Sequence, residues 1–370
     1  MRILIFRSGA FGDVIITTPV VRYLKSQGHD IVYVTSKRGM EVLKGNPHIE
    51  RLIQHKEETP IDKLSENIEY LQKKFKCDKV IDFSESIEVS LSQHPRSPNY
   101  KLSKPERLAR FNRNFYEYAF EHSKNYVPEL FITPMPTDDK QMQDYLKARF
   151  DTLPELFFDR NEIDDAAEHV DEFKFNILMG MSGSGSNKAW PWMESLAHKI
   201  CEQYPDIHII TVGDEKCRLI EPEIEGRITN LSGKIPMRIS MALTGLVDLV
   251  IAPDTGIIHA AGCYDTPKIC LLGHNTKECI TKHFTNDYSV EADSALAPCA
   301  PCLFLIYDMK LQCPLSLQTG GSICMTDGIP MQKVFEKFEE VYFKSNPQRL
   351  RIPNASITET ILTERDESSC

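Results

Sequence analysis

The sequence predicts an α/β protein of two domains, each a parallel sheet wound with helices, facing one another across a central cleft. Three observations predict it. The chain's 370 residues exceed the roughly 250 to 300 at which a single hydrophobic core stops growing, so it is expected to divide. Short β-branched runs alternate with amphipathic segments along its length, the pattern of strands joined by helical crossovers. Loops of small residues with a charged neighbour recur between a strand and the helix behind it, and open sheets of this kind bind ligands beyond the carboxyl ends of their strands.

The elements follow in order. "RILIF" opens the chain as a strand, and "RSGAFGDVIITTP" (7 to 19) turns it through Gly9 and Gly12 into a helix, since "DVIITTPVVRYLK" carries apolar residues at helical spacing. Strands are predicted at "IVYVT" (31 to 35) and "KVIDF" (79 to 83). Residues 100 to 172 carry helical patterns and few strands, including "PERLARFNRNFYEYAF" and "TDDKQMQDYLKARF". The boundary is placed there, giving Rossmann-like domains over 1–160 and 161–345. In the second half "FNILMG" (175 to 180), "IHIITVG" (207 to 213), "DLVIA" (248 to 252) and "KICLLG" (268 to 273) are the expected strands, and a last helix is expected near Met331 to Lys344. Residues 346–370 are polar and proline-punctuated and read as a mobile tail, in which Asn354-Ala-Ser is a chance match to a glycosylation acceptor.

Composition limits the function. A hydrophobic fraction of 41% with 26% charged residues is ordinary for a globular protein. The net charge of −10 repels polyanions and argues against general nucleic-acid binding, while leaving room for a local basic face. No apolar run approaches the roughly 20 residues of a membrane span, and the N-terminus enters its first strand without a signal peptide's regions. The expected location is cytoplasmic, with peripheral attachment at the inner membrane face left open. Eleven cysteines, an odd number without a secretory signal, favour reduced thiols or a metal site over a disulfide framework.

Asp13 poses the first question of chemistry. At a helix start it reads as an N-cap, satisfying orphan amides and opposing the positive end of the helix; the loops of the second half bear on the alternative. "GMSGSGSNKAWPW" (180 to 192), with Ser182 among its small residues, lets backbone amides approach a ligand while Lys188 adds a positive charge. "APDTGIIHAAGC" (252 to 263) repeats the arrangement, with Asp254 followed by Thr255 and Gly256 opening a helix that carries His259. A flexible loop, a capping aspartate and a packed histidine are the plainer readings. Two anion-ready loops in one domain nevertheless favour a nucleotide diphosphate. An NADP-dependent oxidoreductase is the weaker alternative, because Gly9 and Gly12 supply only G-x-x-G. Strand two also ends in "VTSKRG" without the acidic residue that holds an adenosine ribose, although Lys37 and Arg38 suit a 2′-phosphate.

Three stretches, in order, resemble one family. "RSGAFGDVIITTPVVRYLK", "NKAWPW" and "LSGKIPMRISMALTGLVDLVIAPDTGIIHAAGCYDTPKICLLG" are similar to motifs of the family 9 glycosyltransferases, the bacterial heptosyltransferases. Residues 85 to 172 match nothing in it and are expected to shape the acceptor site. The resemblance implies a GT-B fold, a nucleotide-diphosphate sugar donor such as ADP-heptose, and metal-independent, inverting transfer to a lipopolysaccharide-core, glycan or protein acceptor, anionic or lipid-linked. It gives Asp13 the role of general base within a substrate-binding turn of Gly9, Ala10, Phe11 and Gly12, and places Lys188 beside the donor phosphates. Thr255 and Gly256 would supply amides to the diphosphate, Asp254 would face the donor sugar, and Glu215 would hold the ribose; His259 is a further candidate for binding substrate. Sugar transfer needs such groups: a base for the acceptor hydroxyl, and cations or amides for a leaving diphosphate. A helix start makes a carboxylate a weak base, so proton removal is expected late, as the developing sugar cation acidifies the hydroxyl. A module that keeps the nucleotide site for regulation without transfer is the second reading.

Two further features remain. "PCAPCLFLIYDMKLQCPLSLQTGGSICM" (298 to 325) holds Cys299, Cys302, Cys313 and Cys324. Four thiolates suit structural zinc or iron, and protein-modifying heptosyltransferases of the same family carry a similar cysteine finger; packed thiols are the alternative. "KLSKPERLARFNRNFYEYAF" (101 to 120) places Leu108, Phe111, Phe115 and Tyr118 on one helix face beside Arg107, Arg110 and Asn114, either a solvated face or a surface for an acidic acceptor.

Overall fold

A computed structural model describes residues 1–55, 63–84, 102–131, 151–181, 183, 185–303, 313 and 321–345. Among them the chain forms two parallel sheets. The first is four-stranded in the order β3-β2-β1-β4, built from Arg2–Arg7 (β1), Asp30–Thr35 (β2), Arg51–Gln54 (β3) and Lys79–Asp82 (β4). The second is six-stranded in the order β10-β9-β8-β5-β6-β7, from Phe175–Gly180 (β5), Ile207–Val212 (β6), Ile228–Asn230 (β7), Leu249–Pro253 (β8), Lys268–Leu272 (β9) and Val290–Glu291 (β10). The central strands are buried on both faces, as the unbroken apolar runs of the sequence require.

Both orders reverse at a central strand. β1 lies between β2 and β4, and β5 pairs directly with β8 although some 70 residues separate them. Loops leaving neighbouring strands diverge at such a point, which opens a crevice there. The segments that begin at residues 8, 181 and 254 leave the carboxyl ends of β1, β5 and β8, and strand order sets those ends at the two reversals.

The core does not stop at a boundary between the sheets. One cluster of buried side chains includes Ile3 and Ile5 of β1, Val14 and Ile15 behind it, Val250 of β8 and Ile258 and Ala261 of the following helix. A second cluster, on the far face of the larger sheet, gathers Trp190, Leu196 and Phe338, so the last helix, Met331–Ser345, closes that side.

Some elements depart from expectation. β3, β7 and β10 lie at or next to sheet edges and are two to four residues long, too short for a periodicity to stand out. The segment "PERLARFNRNFYEYAF" is two helices, Lys104–Phe111 and Phe115–Lys124. Asn114 divides them, because its side chain accepts from the N–H groups of Tyr116 and Glu117 and caps the second helix. Leu108 and Phe111 therefore do not share a helix with Phe115 and Tyr118. "TDDKQMQDYLKARF" and residues 346–370, with Asn354, lie outside the described residues.

Candidate active site

β1 ends on Arg7, a cation at the end of an apolar strand. Its guanidinium is 2% exposed; one Nη donates to the Phe83 carbonyl at 2.9 Å and the other meets Asp13 Oδ1 at 2.6 Å. Gly9 makes the turn between them with φ of 143°, and a Cβ there would lie 2.6 Å from Asp13 Oδ2, so the turn requires glycine. The N-cap reading of Asp13 is corrected: Ala10 is the N-cap of helix Phe11–Ile15, and Asp13, at the third helical position, accepts from the Ala10 N–H at 2.9 Å. The carboxylate thus forms half of a capping box. Each of its oxygens is held by a partner, which fixes its orientation.

In the larger sheet, adjacency of β5 and β8 sets Lys188 beside Asp254. Lys188 closes the turn Ser186–Lys188 after β5, and its ammonium donates to the Asp254 carbonyl at 2.9 Å and reaches Oδ2 at 3.1 Å. Asn275 Nδ2 donates to the same oxygen at 2.8 Å, while His259 Nε2 stands 3.6 Å from Oδ1 and His274 Nε2 3.8 Å from Oδ2. Burial opposes ionisation of Asp254, but the Lys188 charge and the two imidazoles outweigh it and hold the carboxyl well below the usual carboxylate range. His274, in contrast, is pushed down to about 4 by burial and by Lys188 and is neutral near pH 7.

These two groups meet at glycines. Thr255 is the N-cap of helix Gly256–Ala261. A Cβ on Gly256 would lie 2.9 Å from Phe11 Cβ, and one on Gly12 would lie 2.7 Å from His259 Cδ2. The helix that begins before Asp13 and the helix that begins after Asp254 therefore touch at their first turns, and only residues without side chains allow it. From the first half of the chain, Tyr116 reaches into the same contact, its hydroxyl 2.6 Å from His259 Nδ1.

The lining is polar and underused. Asn187 Oδ1, Asp254 Oδ1, Thr255 Oγ1, His274 Nε2 and Asn275 Oδ1 are buried without a hydrogen-bond partner among the described residues. Leaving a buried polar atom unmet costs about 1–3 kcal/mol, and native interiors rarely accumulate several in one place. Their concentration around Asp254 marks a place where a polar ligand completes the site.

Of the residues singled out in the sequence, the structure brings together Gly9, Ala10, Phe11, Gly12, Asp13, Lys188, Asp254, Thr255, Gly256 and His259. Glu215 is exposed at the start of the turn after β6, its backbone packed on Gly233. Ser182 lies outside the described residues. Arg7, Tyr116, His274 and Asn275 were not anticipated. The last two follow directly on "KICLLG", and a polar pair at the carboxyl end of a strand was the signal available for them.

Cys299, Cys302, Cys313 and Cys324 line one small cavity together with Asn187, Gly273 and His274. Among the described residues no three His, Cys, Asp or Glu side chains are placed as a metal-binding group. The thiols share a cavity wall without being drawn to one point. The basic helix faces the same region: Lys104 donates to the carbonyls of Pro298 (2.9 Å) and Ala300, and Arg107 Nε to that of Cys302 at 2.9 Å. Neither a solvated face nor a free acceptor surface describes these two cations, since backbone carbonyls of the cysteine segment engage them. No helix among the described residues is long and apolar enough to cross a membrane.

Comparison with known proteins agrees with this geometry. No curated protein matches the chain. A family 9 glycosyltransferase from Veillonella parvula superposes with a TM-score of 0.58 at 17% identity, over 93% of this chain and 97% of that one. ADP-heptose lipopolysaccharide heptosyltransferase II of Escherichia coli gives 0.55 at 13%, over 93% and 99%. The iron-containing dodecameric glycosyltransferase TibC of enterotoxigenic E. coli gives 0.58 at 13%, over 94% and 80%. Their shared architecture is GT-B, with two parallel-sheet units. The sequence model of glycosyltransferase family 9 (heptosyltransferase) matches residues 90–303, so it takes in the stretch before residue 172 that resembled nothing and leaves out the motif at 7–25. Spanning more than half of the chain, with Lys188, Asp254 to Gly256 and His259 inside it, this match establishes that the protein belongs to glycosyltransferase family 9.

Proposed function

We propose that the protein moves a sugar, heptose in the first instance, from ADP-heptose or a related nucleotide-diphosphate donor to a lipopolysaccharide-core, glycan or protein acceptor, with inversion and without a metal in the transfer step. Residues 1–160 form the acceptor side of this reading and 161–345 the donor side. One observation carries it: an oriented carboxylate, Asp13, approaches an anion-ready loop pair, Lys188 and Asp254 to Gly256, across a contact that leaves no room for intervening side chains. Two neighbours in fold support the donor, being described as an ADP-heptose heptosyltransferase and as a heptosyltransferase in complex with ADP-D-β-D-heptose.

The residues divide the chemistry between them. Asp13, its oxygens held by Arg7 and the Ala10 amide, takes the acceptor hydroxyl's proton late, when the departing diphosphate has left positive charge on the sugar. Lys188 and the amides of Thr255 and Gly256 receive the charge on the diphosphate. Asp254 and His259 face the sugar, and Glu215 takes the ribose. The NADP reading loses support because the backbone at Gly12, where a pyrophosphate would approach, is covered by His259.

Asp13→Asn tests the reading. It preserves the shape of the side chain and is expected to lower transfer from ADP-heptose by about two powers of ten or more while leaving donor affinity nearly unchanged. Wild-type activity in this variant would reduce Asp13 to a capping and ion-pairing residue, and a purified protein that binds nucleotide but never transfers sugar would favour the regulatory module.

The cysteine cavity belongs to the same proposal as a structural zinc or iron site. Cys299, Cys302, Cys313 and Cys324 would hold the ion, and four thiolates leave no position for substrate. The chain fits the idea in one respect: burial, followed by the proximity of Cys302, Cys299 and Cys313, pushes the Cys324 thiol up, and a cation relieves that repulsion. Among the fold neighbours, TibC is described as iron-containing.

A further inference from the structure

We propose that Tyr116 is a positioning residue for transfer: from the first half of the chain its phenol fixes the imidazole of His259, so that Nε2–H is presented to Asp254 Oδ1 beside the donor. The inference rests on the proposed transferase reading for its effect on rate, but its structural content stands on contacts alone.

Tyr116 and His259 are 1% and 2% exposed, and 2.6 Å separates Oη from Nδ1. Burial keeps Tyr116 a phenol, pushing its ionisation well above the usual tyrosine range. With the ring proton on Nε2, the phenol donates to Nδ1; with it on Nδ1, the phenol accepts, so the group facing Nε2 selects the tautomer. That nitrogen, Nε2, lies 3.6 Å from Asp254 Oδ1, an oxygen with no hydrogen-bond partner among the described residues. The distance is too long for a hydrogen bond. It is short enough for the ionised carboxylate to favour a proton at Nε2.

The position of the phenol is itself fixed from both halves. Asn114 caps the helix of Tyr116 and donates through Nδ2 to the Glu278 carbonyl at 3.2 Å, and the Phe115 N–H donates to the Cys279 carbonyl at 2.9 Å. Phe284 packs edge-on against the Tyr116 ring at 5.7 Å. The opposite edge of the imidazole abuts the backbone of Gly12, one residue from Asp13. A single ring therefore touches the residue next to the proposed base, the acidic residue on the donor side, and a phenol that reports whether the halves are joined. Removing the phenolic oxygen frees that ring to turn, and Asp254 Oδ1 then loses the N–H that His259 presents to it.

The experiment compares wild type, Tyr116→Phe and Glu117→Gln. Glu117 comes from the same helix and bridges the same interface, 2.7 Å from His283 and 3.2 Å from Lys282, but does not touch the site. Nitrogen NMR of 15N-histidine-labelled protein is expected to show His259 protonated at Nε2 in wild type and in Glu117→Gln, and to lose that single tautomer in Tyr116→Phe. Transfer kinetics are expected to show kcat lowered about tenfold in Tyr116→Phe, the worth of one hydrogen bond, with donor KM within twofold and Glu117→Gln unchanged. A His259 tautomer protonated at Nδ1, or one unaffected by the loss of the phenol, overturns the proposal. So does an equal kcat loss in Glu117→Gln, which would make Tyr116 ordinary interface packing. If wild type transfers no sugar, the transferase reading is what fails, and the tautomer measurement alone decides the role of Tyr116.

Discussion

Lys188 holds in place the carboxylate it is expected to share with a ligand. Its ammonium is committed to Asp254 through two contacts, so a diphosphate must recruit a charge that is already paired. Lys188→Ala is therefore expected to weaken ADP binding and to flatten its dependence on salt, because the lost contact is charge on phosphate. Titration calorimetry of ADP and UDP at two ionic strengths reads both effects and shows which base is preferred; equal affinity in wild type and variant would remove Lys188 from the phosphate site. At this scale the sequence was legible where a residue's role is local. Asp13, Lys188 and Asp254 stand out because glycine and serine surround them at strand ends. Arg7 reads as a strand terminus and Tyr116 as one more aromatic in an amphipathic helix, since their partners, Asp13 across a turn and His259 143 residues away, appear only once the strands are ordered.

Helices carry much of the link between the two sheets. Helix Arg160–Ala167 presents Glu162 to Arg238 of helix Met237–Leu243, with Nε and Nη2 at 2.6 and 2.7 Å, and to Lys44 Nζ at 2.8 Å. Hydrogen bonds from Arg238 outweigh burial and, with Lys44, hold the Glu162 carboxyl down to about 2, against an ordinary value of 4.5. Its contribution to stability is therefore complete above about pH 4.5 and is lost as pH falls toward 2. Glu162→Gln is expected to cost about 3 kcal/mol at pH 7, the scale of a broken buried pair, and distinctly less at pH 3. Urea unfolding at the two pH values measures this, and an equal loss at both would deny the carboxylate its charge-dependent role. The basic helix shows the limit of reading elements singly. Composition marks Lys104 and Arg107 as cations seeking an anion, yet backbone carbonyls of the cysteine segment satisfy them, and nothing in helical periodicity indicates a partner almost 200 residues away. The break at Asn114 was legible in principle, since asparagine before an aromatic run is a helix start; the surrounding apolar pattern concealed it.

At the scale of the whole molecule, alternation of strands and helices was enough to give the sheet type, whereas the reversals in strand order that create the site depend on pairings no local pattern encodes. Ala300, Cys324 and Met325 pack into the core of the larger sheet, and the carbonyls of Pro298, Ala300 and Cys302 meet the basic helix of the other half, so a metal held by these cysteines would tie the halves together as well as fold their segment. Elemental analysis is expected to find about one zinc or iron per chain, and Cys302→Ser to lower the melting temperature. Metal-free wild type with an unchanged melting point in the variant would leave four ordinary thiols. The contact of Gly12 with His259 has a last consequence, for access. Where two helix starts meet with no side chain between them, the smallest added group acts as a wedge: a methyl at residue 12 would need to lie 2.7 Å from a ring carbon. With the His259 ring held by the Tyr116 hydroxyl, the strain falls on the contact between the two helix starts. Gly12→Ala is accordingly expected to yield a more open particle, seen as a larger radius of gyration in solution scattering, that loads nucleotide on its donor side yet brings no acceptor hydroxyl within reach of the sugar. Such a variant would separate nucleotide loading from sugar transfer, the two steps that the proposed activity sets on either side of this contact.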